Sequence, residues 1–205
     1  MRVGIFGGTF APIHNGHVNA AHQFVKECKL DRLYVIPAGT PPHKKAPEMF
    51  SSQDRLEMAR LAFPKDDALN EKIEVSDFEI NRKEKSYTYN TLLEFSKDGD
   101  ELVLLCGTDM FMSFDSWYRF KELFGMCTLC LALRNNSDTE NLKAIKEKKS
   151  EFEKKYGAKI LMLDMKPFEV SSTEVRDLIS KGKNISNLVP AGVWEFLKNG
   201  SNRNI

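Results

Sequence analysis

Two histidines, His14 and His17, follow a glycine pair near the start of the chain. Because they are three residues apart, both rings can face one anion from the first turn of a helix. Gly7 and Gly8 let the backbone come close to a ligand, and the N–H groups at a helix N-terminus attract negative charge. Segment 7–17 therefore predicts a phosphate-binding turn between a strand and a helix.

The same turn allows other interpretations. The two histidines could pack in the core, or they could form a zinc-binding pair. A zinc site needs further ligands, for which Asp109 is the obvious candidate. The turn lacks the Gly-Lys-Ser/Thr ending of a P-loop and the Gly-x-Gly-x-x-Gly pattern of dinucleotide-binding folds. Kinase, ATPase and dinucleotide redox chemistry are therefore not expected.

A second candidate phosphate site lies at residues 171–176, which read Ser-Ser-Thr-Glu-Val-Arg. Hydroxyl and N–H groups at a helix start can bind phosphate oxygens, and the Arg176 guanidinium can reach the same phosphate one turn later. An ordinary N-cap with Glu174 in the first turn is the alternative. Considered beside segment 7–17, this segment predicts the other half of a triphosphate site.

Apolar runs alternate with amphipathic segments along the whole chain. Buried strands are predicted at 2–6, 32–36, 72–76, 101–106, 127–133 and 159–163. Helices are predicted at 16–26, 53–63, 88–96, 141–156 and 172–180, after Pro190, and as one or two short helices at 111–124 closed by Gly125. The alternation predicts an α/β fold: a single domain over 1–205 with a doubly wound, mainly parallel sheet and a C-terminal helical part at about 171–200.

Four polar clusters follow predicted strands, at 7–17, 40–45, 107–109 and 171–176. Open α/β sheets bind ligands outside the carboxyl ends of their strands, where the strand order switches. The placement of these clusters therefore predicts a shared ligand site at that edge of the sheet.

The composition is that of an ordinary globular protein, with 205 residues, 41% hydrophobic, 29% charged and a net charge of +1. So small a charge provides no global field for nucleic acid or membrane, and no apolar run reaches membrane-spanning length. The first strand begins at once, which leaves no room for a signal peptide. Three of the four cysteines lie in apolar segments and are expected to be reduced core thiols of a cytoplasmic protein. The C-x-x-C pair Cys127 and Cys130 is weak evidence for a metal or redox site and is expected to belong to the core.

Several motifs resemble those of a known superfamily. Segment 7–17, Gly-Gly-Thr-Phe-Ala-Pro-Ile-His-Asn-Gly-His, resembles the signature of the nucleotidyltransferases with the (H/T)-x-G-H motif, and 171–176 resembles their second signature, I-S-S-T-x-I-R. Segments 37–44, 86–92 and 107–109, with 117–119, resemble the bacterial nicotinate-nucleotide adenylyltransferases. The match runs from residue 1 to about residue 200 in the family's order.

The resemblance implies a Rossmann-like nucleotidyltransferase fold. It also implies a reaction in which ATP and nicotinate mononucleotide give deamido-NAD and pyrophosphate. The attacking phosphate is already ionised, so positioning and charge stabilisation replace a general base. Mg²⁺ is expected to travel with the triphosphate rather than in a protein cage. The implied catalytic residues are His14, His17, Lys44 and Arg176. The implied ATP-binding residues are Gly7, Gly8, Thr9, Phe10, Gly16, Gly107, Asp109, Ser171, Ser172 and Thr173.

The resemblance also implies an acceptor site. Trp117 would stack on the pyridine ring, Tyr87 and Thr88 would contact the nicotinate carboxylate, and Arg134 is a further candidate. N–H groups at that carboxylate would favour the acid over the amide. For Trp117, packing within an aromatic-rich core segment is the alternative.

The chain departs from the family pattern at Ala11 and Asn90, where the family usually has aspartate. Neither change removes a phosphate ligand, so activity is still expected. Two alternatives stay open: a sister transferase with a nicotinamide mononucleotide, phosphopantetheine or cytidylyl acceptor, and a non-catalytic nucleotide-binding module. A homo-oligomer is also left open. The stretches around Tyr87 and Trp117 favour the nicotinate acceptor, and the intact histidine pair favours an enzyme.

Overall fold

The protein has a six-stranded, fully parallel sheet at its centre, in the order β3-β2-β1-β4-β5-β6. This is a computed structural model that describes residues 1–41, 47–66, 68–96, 99–134, 139–166 and 168–200. The strands are β1 (Arg2–Gly8), β2 (Arg32–Pro37), β3 (Ile73–Val75), β4 (Glu101–Gly107), β5 (Thr128–Arg134) and β6 (Ile160–Met165). The predicted parallel sheet is confirmed, with every predicted strand present.

Eight α-helices are present in the described residues. They are α1 (Asn15–Glu27), α2 (Ser52–Ala62), α3 (Thr88–Phe95), α4 (Thr108–Met112), α5 (Phe120–Met126), α6 (Thr139–Tyr156), α7 (Ser172–Ser180) and α8 (Ala191–Gly200). The predicted end of α7 is confirmed by Gly182, which has a φ of +62°. None of the helices in the described ranges is long and apolar enough to cross a membrane.

The prediction that Gly125 ends a helix is wrong, because α5 continues to Met126. The chain leaves α5 through Cys127 in an extended conformation, with φ −150° and ψ 163°. It then enters β5 at once. A left-handed glycine is not needed where a helix passes directly into a strand.

Helices cover both faces of the sheet, because side chains of the central strands alternate between two cores. Ile5 of β1 and Leu104 of β4 face one core, whereas Val103 and Leu105 face the other. The first, which we call the α6-side core, takes Leu92, Phe111, Leu123 and Phe152 from α3, α4, α5 and α6. The second, the α1-side core, takes Phe24, Met58, Val175 and Val193 from α1, α2, α7 and α8. The fold is therefore doubly wound, as predicted.

The strand order reverses between β1 and β4. The chain builds β1, β2 and β3 outward, then returns to place β4 on the other side of β1. The carboxyl ends of β1 and β4 therefore flank the switch point, where open α/β sheets bind their ligands.

The cysteines lie in the cores, as the sequence predicts. Cys28 and Cys130 belong to the α1-side core, and Cys106 and Cys127 belong to the α6-side core. Cys130 lies 3.6 Å from Cys28, measured between the sulfur atoms. The two C-x-x-C residues, Cys127 and Cys130, therefore belong to cores on opposite faces of the sheet.

Candidate active site

His14 and His17 lie together at the N-terminus of α1. His14 is the N-cap residue, with extended backbone, and is only 5% exposed. Its N–H donates to Nδ1 of His17 over 3.3 Å, and the two rings stack with centroids 3.7 Å apart. Because Nδ1 accepts, the proton of a neutral His17 ring is on Nε2. The predicted pair is therefore one cluster with an N–H donor at a helix N-terminus.

Two neighbours fix the orientation of these rings. Phe10, which adopts a left-handed φ of 48°, is buried, and its ring meets that of His17 edge-on at 5.0 Å. Gly16 lies against the other ring: a Cβ there would come 3.1 Å from His14 and from Cγ1 of Val170. The imidazole thus packs directly on the α1 backbone, a close approach that favours glycine.

The start of α7 is capped by Ser171, whose side chain accepts the N–H of Glu174 at 3.1 Å. The N-cap interpretation of this segment is therefore confirmed. Capping is done by the first serine, however, so the hydroxyl of Ser172 is not needed for it.

The two predicted phosphate clusters contact each other through α7. Ser172 donates its hydroxyl to the carbonyl of Pro12 over 3.0 Å, and Nη1 of Arg176 donates to the carbonyl of Ala11 over 2.7 Å. Nη2 of Arg176 donates to Oγ1 of Thr173 over 3.0 Å. Residues 160 positions or more apart in the chain are therefore held at one place, beside the histidine pair.

A buried arginine that the sequence did not reveal supports the same turn. Arg55 of α2 is 1% exposed, and its Nη1 donates to the carbonyl of Thr9 over 2.8 Å. Its Nη2 donates to the carbonyl of Gly39 over 3.3 Å. Burial lowers the pKa of Arg55 below its ordinary value. Its guanidinium thus connects the loops that leave β1 and β2.

A cavity of about 320 Å³ opens beside the histidine turn, at the carboxyl ends of β1 and β4. Its lining includes Gly7, Gly8, Thr9, Tyr87, Thr88 and Trp117. A Cβ on Gly7 would meet nothing within 4 Å, so the end of β1 presents bare backbone. The structure therefore brings the predicted acceptor residues to the first half of the predicted ATP site.

Trp117 lies between the α6-side core and the cavity. Its ring packs on the ring of Phe114, a residue of the α6-side core, with centroids 4.8 Å apart. Trp117 also lines the cavity. Tyr87 stacks on Tyr118 at 4.6 Å, and its N–H donates to the carbonyl of Lys85 over 2.9 Å. The backbone donors of this wall therefore begin with Thr88, the first residue of α3.

Three more of the predicted residues, Gly107, Asp109 and Arg134, lie at or just after strand ends. Gly107 ends β4 and is the N-cap of α4, and Asp109 is exposed in the first turn of that helix. Both lie outside the lining of the cavity. Arg134 ends β5 opposite Met165, and its side chain is not described. Lys44, like His43, lies outside the described residues.

The described residues provide no ligand set for a zinc ion at the histidine pair. Among the described residues, no group of three His, Cys, Asp or Glu side chains could hold a metal ion. The histidine rings instead stack on each other, with 27° between their planes. The described residues therefore add no protein ligands to the histidine pair that would complete a zinc site.

Several named proteins are similar in sequence to this chain. Residues 5–178 match the family model described as cytidylyltransferase-like. A protein of Clostridium kluyveri named probable nicotinate-nucleotide adenylyltransferase is 34% identical over 200 residues, 97% of this chain and 97% of the relative. One of the same name from Clostridium novyi is 37% identical over 189 residues, 91% of each chain. This chain belongs to the nicotinate-nucleotide adenylyltransferases of the cytidylyltransferase-like family.

The fold of the adenylyltransferase agrees with that assignment. The nicotinic acid mononucleotide adenylyltransferase of Plasmodium falciparum, solved in complex with NaAD, matches with a TM-score of 0.74 and 17% identity. The match covers 97% of this chain and 95% of that one. At this identity the likeness concerns the fold alone, and it confirms the Rossmann-like nucleotidyltransferase architecture predicted from the sequence.

The departure at Ala11 has a structural setting in this adenylyltransferase. The side chain of Ala11 is buried in the α1-side core, while its carbonyl accepts from Arg176. A small apolar side chain suits that place, because an aspartate there would need a partner for a buried charge. Ala11 therefore leaves the contact between the turn and α7 intact.

Proposed function

We propose that the protein transfers the adenylyl group of ATP to nicotinate mononucleotide, giving deamido-NAD and pyrophosphate. The observation that carries this proposal is the joined cluster of His14, His17, Ser172 and Arg176, which continues directly into the Gly7–Gly8–Thr9 lining of the cavity. Anion-binding groups thus lie next to a partly aromatic cavity, as transfer between two nucleotides requires.

The triphosphate binds at the helix starts. The N-termini of α1 and α7 supply N–H groups, and Arg176 supplies a positive charge. His14 and His17 act at the α-phosphorus, where Nε2–H of His17 donates to the negative charge that develops in the transition state. The backbone of Gly8, Thr9 and Phe10 holds ATP, and Gly107 and Asp109 hold its ribose.

The acceptor binds in the cavity. Trp117 stacks on the pyridine ring while resting on Phe114. The nicotinate carboxylate accepts from the start of α3 at Thr88, since the N–H of Tyr87 donates to Lys85. The positive end of α3 and its N–H donors favour the acid over the amide.

The reaction needs positioning more than acid–base chemistry. An oxygen of the mononucleotide phosphate attacks the α-phosphorus in line, and the bond from the α-phosphorus to the α,β-bridging oxygen of ATP breaks. Pyrophosphate leaves with that electron pair. No proton has to be removed from the nucleophile, because the phosphate is ionised at neutral pH.

ATP enters as its Mg²⁺ complex. The hydroxyl and guanidinium groups at the start of α7 suit phosphate oxygens rather than a cation. The metal therefore stays on the triphosphate, where it neutralises charge on the leaving group. Lys44 contributes positive charge for the reacting phosphates. The reaction takes place in the cytoplasm.

The test compares two acceptors under identical conditions. Purified protein with MgATP receives either nicotinate mononucleotide or nicotinamide mononucleotide, and pyrophosphate release is followed. We expect turnover with the acid, and kcat/KM at least tenfold lower with the amide, which corresponds to about 1.4 kcal/mol of discrimination. A preference for the amide would exclude the proposed acceptor. ATP binding without product from either acceptor would favour a non-catalytic nucleotide-binding module.

A further inference from the structure

Glu79, in the loop between β3 and α3, is a buried carboxylate that the mechanism above does not use. It is 8% exposed and borders the acceptor cavity. Thr91 donates its hydroxyl to Oε1 over 2.6 Å, and the hydroxyl of Ser86 lies near the carboxyl group. Burial raises the pKa of Glu79, and the two hydroxyls oppose that effect. A buried carboxyl group with these neighbours calls for a role.

The hydroxyl of Ser86 has one proton, for which the neighbouring Glu79 carboxylate is an acceptor. Its oxygen can then act only as an acceptor towards other groups. It accepts the N–H of Gly39 over 3.0 Å and that of Thr40 over 3.3 Å. In return, the N–H of Ser86 donates to the carbonyl of Thr40 over 2.8 Å. The carboxylate thus determines that Ser86 Oγ accepts hydrogen bonds from the loop after β2.

The network joins two walls of the site. Gly39 follows β2, and a Cβ there would come 2.2 Å from the carbonyl oxygen of Glu79, so the two backbones touch. From the opposite side, Arg55 donates to the Gly39 carbonyl. Ser86 is followed directly by Tyr87 and Thr88, which line the cavity. A shift at Ser86 would therefore move the proposed carboxylate site.

We propose that Glu79 is a positioning residue for the acceptor mononucleotide, acting through Ser86 to hold the start of α3 against the loop after β2. The inference rests on the proposed function, since it concerns the acceptor half of that site. The ATP half depends on other contacts, from Arg176 and Ser172 to the turn at Ala11 and Pro12. Loss of Glu79 should therefore affect the acceptor selectively.

Glu79→Met removes both acceptor oxygens at similar side-chain size. We expect the KM for nicotinate mononucleotide to rise about fivefold, with the KM for ATP changed less than twofold, because one misdirected hydrogen bond is worth about 1 kcal/mol. Glu79→Gln, which keeps one acceptor oxygen, should restore part of the affinity. The matched control is Glu84→Gln, an exposed glutamate of the same loop that pairs with Arg82 at 2.6 Å. It should change neither KM.

The dependence on Ser86 is tested by a double-mutant cycle. Ser86→Ala alone should raise the acceptor KM to a similar extent. Adding Glu79→Met to Ser86→Ala should then give no further rise, because the carboxylate has lost the group through which it acts. Equal and additive effects of the two variants on the acceptor KM would contradict the inference, as would equal effects on both substrates.

Stability provides a readout of a purely structural role. Since the folded-state pKa of Glu79 is raised, its contribution to stability is present below the unfolded value and is lost as pH rises through the folded pKa. The free energy of unfolding of Glu79→Met relative to the wild type should therefore improve from pH 4.5 to pH 8. A variant that unfolds at pH 8 would overturn this expectation, and Ser86→Ala with Glu79→Gln would then decide the KM effect.

Different results would contradict the proposed function and the role of Glu79. Calorimetric titration of the wild type with nicotinate mononucleotide tests the acceptor itself. No binding and no turnover by the wild type would overturn the proposed function, and this inference with it. A wild type that binds and turns over the acceptor, beside Glu79→Met with an unchanged acceptor KM, would overturn the role of Glu79 alone.

Discussion

His17 has Nε2–H as its donor because its Nδ1 accepts the N–H of His14. If that donor stabilises charge at the α-phosphorus, its loss should act on the transition state and hardly on substrate binding. We expect His17→Ala to lower kcat about 10²- to 10³-fold, the usual effect of removing one such donor. Pyrophosphate release under steady-state conditions measures this, with both KM values changed little.

His22→Gln is the matched control for that experiment. His22 is also on α1, but its Nε2 pairs with Oδ1 of Asn70 at 2.8 Å. Its replacement should leave kcat unchanged. Loss of cooperative thermal unfolding in His17→Ala would show that the ring stack serves the fold and not the chemistry.

The sequence can predict those site residues whose side chains lie close in the chain to the helix start that they serve. The histidine pair and the Ser171–Ser172–Thr173 start of α7 are recognisable because a helix start and its side chains lie within a few residues. Arg55 and Glu79 could not be found that way. Arg55 lies on a helix where a charged residue normally indicates a solvent face, and the partners of both residues come from other segments.

At the scale of elements, the turn after β1 and the loop after β2 depend on α2. The guanidinium of Arg55 donates to Thr9 and to Gly39, so one side chain sets the distance between these two loops. Arg55→Met should raise the KM for ATP about tenfold, since the backbone of Thr9 would lose its anchor. Initial rates over a range of MgATP concentrations, at saturating acceptor, measure this change.

Arg55→Lys separates charge from geometry in that experiment. An ammonium retains the positive charge but cannot form the planar fork that reaches two carbonyls. We expect a KM for ATP between those of Arg55→Met and the wild type. If Lys restored the wild-type value in full, charge alone would account for the effect, and the anchoring of two loops would be excluded.

β3 ends at Val75, one residue before its predicted end, but the other five strands extend beyond their predicted carboxyl ends. The reason for this extension is tertiary. Gly7 and Gly8 indicate a turn from sequence, yet they pair in register with Ile36 and Pro37 of β2. Partner strands hold extended even those residues that disfavour strands locally. Sequence periodicity therefore predicts that β1 and β2 exist, but the positions of their last residues depend on pairing between them.

At the scale of the whole molecule, the four thiols report on the two cores. All four are buried, and burial raises the pKa of Cys127 to about 12 and that of Cys106 higher still. The hydrogen bond with Cys130 lowers the pKa of Cys28, but this thiol is also closed to solvent. A thiol reagent should therefore label none of the four at pH 8 in the native state. Ellman's reagent with and without guanidinium chloride measures this, and Ser180→Cys adds an exposed thiol as a positive control.

The rates of labelling test whether the two faces of the sheet open together. Cys28 and Cys130 lie under α1-side helices, whereas Cys106 and Cys127 lie under α6-side helices. Because β4 and β5 contribute side chains to both cores, opening one face removes support from the other. At intermediate guanidinium chloride concentrations, peptide mapping should therefore find one common rate for all four thiols, as cooperative unfolding requires. Earlier labelling of Cys28 and Cys130 would mean that the α1-side layer, with the histidine pair and α7, opens alone. The proposed ATP site would then belong to a part of the fold that unfolds separately from the rest and more easily.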